Sequence, residues 1–104
     1  MTLKDYQILN REAWQKFAEE YKEPAEKAWE SGDPHWGIWQ LPESKLEIFP
    51  NDLKGKKCIE IGCGAGYVSS WMSRRGGEVV GIDPTPNQLE TARHLEKQYQ
   101  LGIE

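Results

Sequence analysis

Glycines at every second position, Gly62, Gly64 and Gly66, follow a short β-branched segment in "CIEIGCGAGYV", residues 58–68. This run constrains the fold more than any other part of the chain. Lys57–Ile61 reads as a strand that enters a glycine turn and leaves it as a helix from about Tyr67 to Arg75, with Val68, Trp71 and Met72 facing inward. Gly76 and Gly77 stop that helix, and Arg74 and Arg75 fall at its carbonyl end, where the dipole favours cations. "EVVGID" supplies a second strand. Thr85 then suits an N-cap, with Pro86 at the first helical position and Gln88 three residues after the cap, the spacing of a capping box. The helix so opened places Leu89, Ala92, Leu95 and Tyr99 on one face and stops near Gly102. Strand, helix, strand and helix with short connections predict an α/β chain built on a right-handed parallel βαβα unit.

The preceding half has a different texture. Residues 10–30 show a helical spacing of Trp14, Phe17, Ala18, Tyr21, Ala25, Ala28 and Trp29, with Asn10 as N-cap and Glu and Lys on the other side. The simplest reading of this aromatic stripe is a packing face, and Pro24 is expected to end or kink the helix near Lys22–Glu23. Ser31–Ser44 is a turn-rich loop with Gly32, Pro34, Gly37 and Pro42. Its Trp36 and Trp39 either form a lid or docking surface or fold back onto the helix. "SKLEIF" then allows a short helix before Pro50. The chain divides accordingly into an aromatic-rich N-terminal helical cap with its Trp-containing loop, 1–50, and the βαβα segment, 51–104.

Charge narrows the partners. Residues 1–50 carry six Lys/Arg against ten Asp/Glu, whereas 51–104 carry seven of each, so the net −4 belongs to the cap. No basic footprint invites nucleic acid or an anionic membrane. No apolar run is long enough to span a bilayer, and charges at Lys4, Asp5, Arg11 and Glu12 break any signal-peptide core, so a cytoplasmic protein is expected. Cys58 and Cys63 form neither a disulfide framework nor a metal-ligand pattern, and no metal is expected.

The glycines lie where open α/β sheets bind ligands, at the carboxyl end of a strand, and they let a ligand approach bare backbone. The helix beyond offers unpaired N–H groups. Asp83 ends the second strand, 23 positions after Glu60, where a carboxylate can accept both hydroxyls of a ribose. An adenosine-type ligand fits this set. Dinucleotide sites need Gly-x-Gly-x-x-Gly, so that the helix start can receive a pyrophosphate. Here the third glycine comes one residue early and Tyr67 takes its place. Glu60, two residues before the first glycine, repels a pyrophosphate but suits a ligand carrying an ammonium and a sulfonium. The arrangement argues for S-adenosylmethionine.

The stretch "CIEIGCGAGYVSSWMSRRGGEVVGIDPTPNQLETAR" resembles the class I, Rossmann-like S-adenosylmethionine-dependent methyltransferases, and the likeness runs from Lys56 to Ile103. The aromatic helix and loop before it resemble, less strictly, the N-terminal cap of the small-molecule members. The resemblance implies that Glu60, Gly62, Cys63 (through its main chain) and Gly64 surround the methionine moiety, and that Asp83 binds the ribose. It also implies that Pro84 and Gln88 border the adenine and that Gly66 serves helix–strand packing. Pro84 departs from the bulkier apolar residue common at its position. Catalytic residues are not implied, since methyl transfer rests mainly on positioning.

Cys63 has no base nearby in sequence and reads as an inert small hydrophobe. His35 is a candidate general base or a surface loop histidine, and His94 is expected to face solvent. Two parallel strands leave open sheet edges and partly bare faces, and Ile103–Glu104 looks like the start of a third strand. The chain is therefore expected to be the N-terminal part of a longer methyltransferase acting on a small molecule, with S-adenosylhomocysteine as the cofactor product. The alternatives are an adenosine-ligand binding module, a homo-oligomeric interaction fragment without catalysis, or an NAD-dependent oxidoreductase.

Overall fold

A computed structural model describes residues 4–31 and 33–104. Gly32, one of the expected turn residues, lies outside them. The elements are α1 (Asp5–Phe17), α2 (Lys22–Glu30), β1 (His35–Trp36), β2 (Leu41–Pro42), α3 (Glu43–Leu46), β3 (Lys57–Ile61), α4 (Tyr67–Arg74), β4 (Glu78–Ile82) and α5 (Pro86–Tyr99).

β3 and β4 pair in parallel, from Lys57 opposite Glu78 to Ile61 opposite Ile82. This is the expected strand–helix–strand unit, a mixed helix and strand fold around a parallel pair. The alternation of side chains gives the two faces different fates. Cys58, Glu60, Val79 and Gly81 lie on the α4 side, where a Cβ on Gly81 would meet Ser69 Oγ at 3.3 Å. Ile59, Ile61 and Ile82 point the other way and stay 61%, 78% and 47% exposed. Glu104 adds to the outer edge of β4, donating to Val79 O at 3.0 Å and accepting from Gly81 N–H at 2.8 Å. That exchange is one parallel rung, as the reading of Ile103–Glu104 anticipated.

The N-terminal helices differ from expectation at both ends. Asn10 sits inside α1, which starts five residues earlier, at Asp5. The chain then breaks at residues 18–21 and restarts at Lys22, which places Pro24 in the first turn of α2. A proline ring within a continuous helix would clash with the carbonyl four residues back, whereas the first turn needs no N–H from it. The aromatic stripe is likewise not a packing face along its length. α1 buries no residue, and Trp14, Phe17 and Tyr21 remain 44–46% exposed, whereas Ala18, Ala25 and Trp29 are buried.

α2 locks the layers together. Trp29 stacks on Tyr99 of α5, and with Ala25, Ala65 and Leu95 it forms the core cluster. Its indole N–H donates to Ala65 O at 2.9 Å, tying the helix to the glycine loop. From α4, the Trp71 indole donates to Ala28 O and the Arg74 guanidinium to Trp29 O. Arg74 and Arg75 therefore leave their own helix end, with Arg74 placing a cation at the carbonyl end of α2 and Arg75 bonding Pro50 O. On α5 the buried side chains are Gln88, Thr91 and Leu95, so the inward face is rotated from the expected apolar one, and Leu89 and Ala92 are half-buried.

The Trp loop is a small antiparallel hairpin, His35 opposite Pro42 and Trp36 opposite Leu41, followed at once by α3. Its two tryptophans part company. Trp36 packs edge-on against Phe49 and Trp71, while Trp39 at the hairpin tip is 79% exposed. Glu43 explains the difference. Its buried carboxylate accepts the Trp36 indole N–H at 2.6 Å and the Phe49 N–H at 2.8 Å. Burial works against that charge, but these two bonds and the Arg75 guanidinium outweigh it and hold the Glu43 carboxyl below its usual value.

Candidate functional site

The carboxyl ends of β3 and β4 open into a cleft of about 1610 Å³ roofed by α1, the start of α2 and the β1–β2 hairpin. Glu60, Gly62, Cys63, Gly64, Asp83, Pro84 and Gln88 all line it. One cleft thus brings together every residue that the sequence singled out for a ligand. His35 lines it as well, whereas His94 is exposed on α5.

The glycine loop is built around its own backbone hydrogen bonds. Gly62 and Cys63 both donate their N–H to Ile82 O, at 2.8 and 3.0 Å, and Gly66 N–H bonds Cys63 O. Gly64 N–H goes to Asp83 Oδ2 at 2.9 Å. At the helix start, Ser69 donates N–H and hydroxyl to Glu60 Oε1. The expectation of free N–H groups at the start of α4 is therefore corrected at Ser69, because Glu60 caps that position. The N–H groups of Gly62, Cys63, Gly64 and Gly66 are thus spent within the fold, while Glu60 and Asp83 bring their carboxylates to the cleft lining. Such a lining accepts cations and hydroxyl donors and disfavours phosphate.

Gly62, at φ +74°, faces open space, with no described atom within 4 Å of a Cβ placed there. The bare backbone there leaves the cleft lining open to close approach. Gly66, at φ +79°, is different, since its Cβ would touch Trp29 at 3.4 Å and Ala92 at 3.5 Å. It lets α2 and α5 close on the loop, so the packing it serves is helix against loop rather than helix against strand.

Asp83 is more occupied than its place at the strand end suggests. Oδ1 accepts both the N–H and the hydroxyl of Thr85, and Oδ2 accepts Gly64 N–H. Three of roughly four acceptor positions on a carboxylate are thereby taken, and one on Oδ2 is left. The capping box fails for the same reason. Thr85 does precede Pro86 as N-cap, but its hydroxyl turns back to Asp83, and Gln88 is buried beneath Gly64.

Burial raises the Glu60 carboxyl above its ordinary value, the Ser69 bonds oppose that, and the Asp83 charge adds to it. Burial, then Glu60 and Asp83, pushes the Cys63 thiol up to about 11, which fits an inert cysteine rather than a nucleophile. Among the described residues no group of three His, Cys, Asp or Glu side chains gathers to hold a metal, and no helix is long and apolar enough to cross a membrane.

Sequence reasoning missed Ser69, Tyr6 and the outward turn of Trp14 and Tyr21 into the cleft wall. Ser69 had a signal. It is the third residue of a helix that follows directly on an acid-bearing strand, the position whose N–H a carboxylate seeks.

Residues 59–104 match the family model described as "Methyltransferase domain". A ubiquinone biosynthesis O-methyltransferase of Histophilus somni (strain 2336) is 34% identical over 89 residues, which cover 83% of this chain and 37% of that protein. The protein of the same name from Azoarcus sp. (strain BH72) is 29% identical over 99 residues, covering 92% and 41%. A third, from Actinobacillus pleuropneumoniae serotype 5b (strain L20), is 44% identical over 54 residues, covering 52% and 23%. The chain thus spans well under half the length of these relatives. A strand–glycine–helix turn lined by Glu60 and Asp83, and a family match running through that same turn, lead to one assignment: over residues 59–104 the chain carries a methyltransferase domain of the class I, S-adenosylmethionine-dependent kind.

Proposed function

We propose that this chain is the cofactor-binding, Rossmann-like N-terminal part of a methyltransferase that moves the methyl group of S-adenosylmethionine to an oxygen of a small molecule. The observation that carries the reading is the hydrogen-bond economy of the glycine loop. Gly62, Cys63 and Gly64 spend their N–H groups on Ile82 and Asp83, while Glu60 and Asp83 present negative charge to the same cleft. A dinucleotide needs the reverse polarity.

In this reading Glu60, Gly62, Cys63 and Gly64 hold the amino-acid end of the cofactor. The free position on Asp83 Oδ2 takes a ribose hydroxyl, and Pro84 and Gln88 border the adenine. When bound, the cofactor supplies a methyl group on a positively charged sulfur, a carbon already activated for displacement. The residues of this chain orient it and exclude water, which is where most of the rate gain in such a transfer arises. The cleft exceeds the roughly 300–1,000 Å³ of a usual small-molecule site, and the surplus under α1 and the hairpin leaves space for an acceptor. The name shared by the relatives supports oxygen as the accepting atom. A hydroxyl acceptor must lose a proton, and His35 in the cleft wall is the base we assign to it.

Calorimetric titration of the chain with S-adenosylmethionine and, separately, with NAD tests the reading. Saturable binding of the first with none of the second is expected. The opposite pattern would overturn it.

A further inference from the structure

Part of the cleft wall consists of aromatic rings left out of the core. Trp14 and Tyr21 are each 44% exposed and lean on one another with centroids 5.6 Å apart. Tyr67, 41% exposed, lies 5.3 Å from Trp71. Trp71 itself is fixed, bonded to Ala28 O and met edge-on by Trp36, so the Tyr67 ring rests on a rigid backing. All three open rings line the same cleft as Glu60. The Tyr67 hydroxyl is pushed up by burial and then by the charges of Glu60 and Tyr21, which places the three groups in one electrostatic neighbourhood. A sulfonium carries charge but no N–H, so hydrogen bonds cannot select it. Carboxylate field and π faces can.

We propose that Trp14, Tyr21 and Tyr67 form an aromatic panel that recognises the sulfonium charge itself, so that the cleft distinguishes the cationic methyl donor from its neutral thioether product. The inference rests on the reading that this cleft takes S-adenosylmethionine. Donor and product share their amino, carboxylate, ribose and adenine groups, so contacts to those groups act equally on both. Only groups that sense the charge on sulfur, or touch the methyl it carries, separate them. Once the methyl has left, the panel loses its partner and its contribution to retention disappears.

The test is the ratio of dissociation constants for S-adenosylhomocysteine and S-adenosylmethionine, measured by calorimetry on the intact chain and on Tyr67→Leu, Tyr67→Phe and Trp14→Leu. Trp14 lies on a helix that buries no residue, so its variant keeps the fold, which circular dichroism verifies. Tyr67→Leu and Trp14→Leu are each expected to weaken the donor roughly threefold or more relative to the product. Tyr67→Phe keeps the ring and should leave the ratio unchanged. Equal weakening of both ligands, or a Phe variant as damaging as Leu, overturns the panel while leaving the cofactor reading intact. Failure of the unaltered chain to bind either ligand overturns both.

Discussion

Ser69 gives its hydroxyl at 2.6 Å and its backbone N–H at 3.0 Å to a single oxygen, Oε1 of Glu60. The pair joins the end of β3 to the first turn of α4 and leaves Oε2 for the cleft. Ser69→Ala removes the shorter bond without altering the backbone. It should cost about 1–3 kcal/mol of stability, as for a bond to a buried charged group, and raise the Glu60 carboxyl further. Because a cation is bound by the ionised form, affinity for S-adenosylmethionine should rise with pH above 4.5, the ordinary glutamate value, until Glu60 is fully charged. In Ser69→Ala that rise should move to higher pH, which calorimetry across a pH series would show. Coincident pH profiles would separate Glu60 from the bound charge.

Gly62 and Gly66 share a left-handed backbone but differ in what surrounds them. Alanine at either position adds strain of about 1–2 kcal/mol. At Gly66 it also presses on Trp29 and Ala92, whereas at Gly62 it projects into the cleft. Gly66→Ala should therefore lower the melting temperature more, and Gly62→Ala should lower cofactor affinity more. Thermal melts and titrations on the two variants check the crossover.

Asp83→Ala should do two things at once. It frees Gly64 N–H and both Thr85 donors, loosening the loop by about 1–3 kcal/mol, and it removes the carboxylate to which the proposed function gives a ribose hydroxyl. Asp83→Asn retains acceptors at one oxygen but loses the charge. It should keep more of the stability than Asp83→Ala while still binding the cofactor more weakly than the unaltered chain. Denaturant unfolding alongside titration separates the effects, and an Asn variant that binds undiminished would remove Asp83 from the ribose role.

The second half of the chain was readable because its signals are local. A β-branched run, three glycines and a Thr-Pro pair fix β3, the turn and the start of α5 within a few residues of themselves. What escaped depends on partners far along the chain. Ser69 is an ordinary serine until Gly81, bare of a side chain, lets the sheet approach it. Trp29 and Trp14 belong to one apolar stripe by spacing, yet Trp29 meets Ala65, 36 residues away, while Trp14 meets open cleft. Periodicity identifies an apolar face and is silent on whether core or ligand will cover it. The rotation of α5 has the same origin, since Gln88 packs beneath Gly64 of the loop, while the buried Thr91 turns its hydroxyl back to Asn87 O of its own helix.

Glu43 offers a measurable acid limb. Its folded value lies below the ordinary 4.5, held there against burial by Phe49 N–H, the Trp36 indole and Arg75. As pH falls below 4.5 the unfolded chain takes up this proton first, so the stability Glu43 contributes, complete above that value, is lost as pH drops through the folded one. Glu60 works in the opposite sense. Its raised value favours the folded state at low pH, and that contribution is lost as pH rises through the folded value. Glu43→Gln cannot titrate and loses the charge in both bonds. It should be less stable than the unaltered chain at about pH 7, and the gap should narrow by about pH 3.5. Urea midpoints at the two pH values, followed by circular dichroism, measure this. A gap that stays constant with pH would mean that the hairpin is held by the packing of Trp36 on Phe49 and Trp71 and not by the charge beneath it.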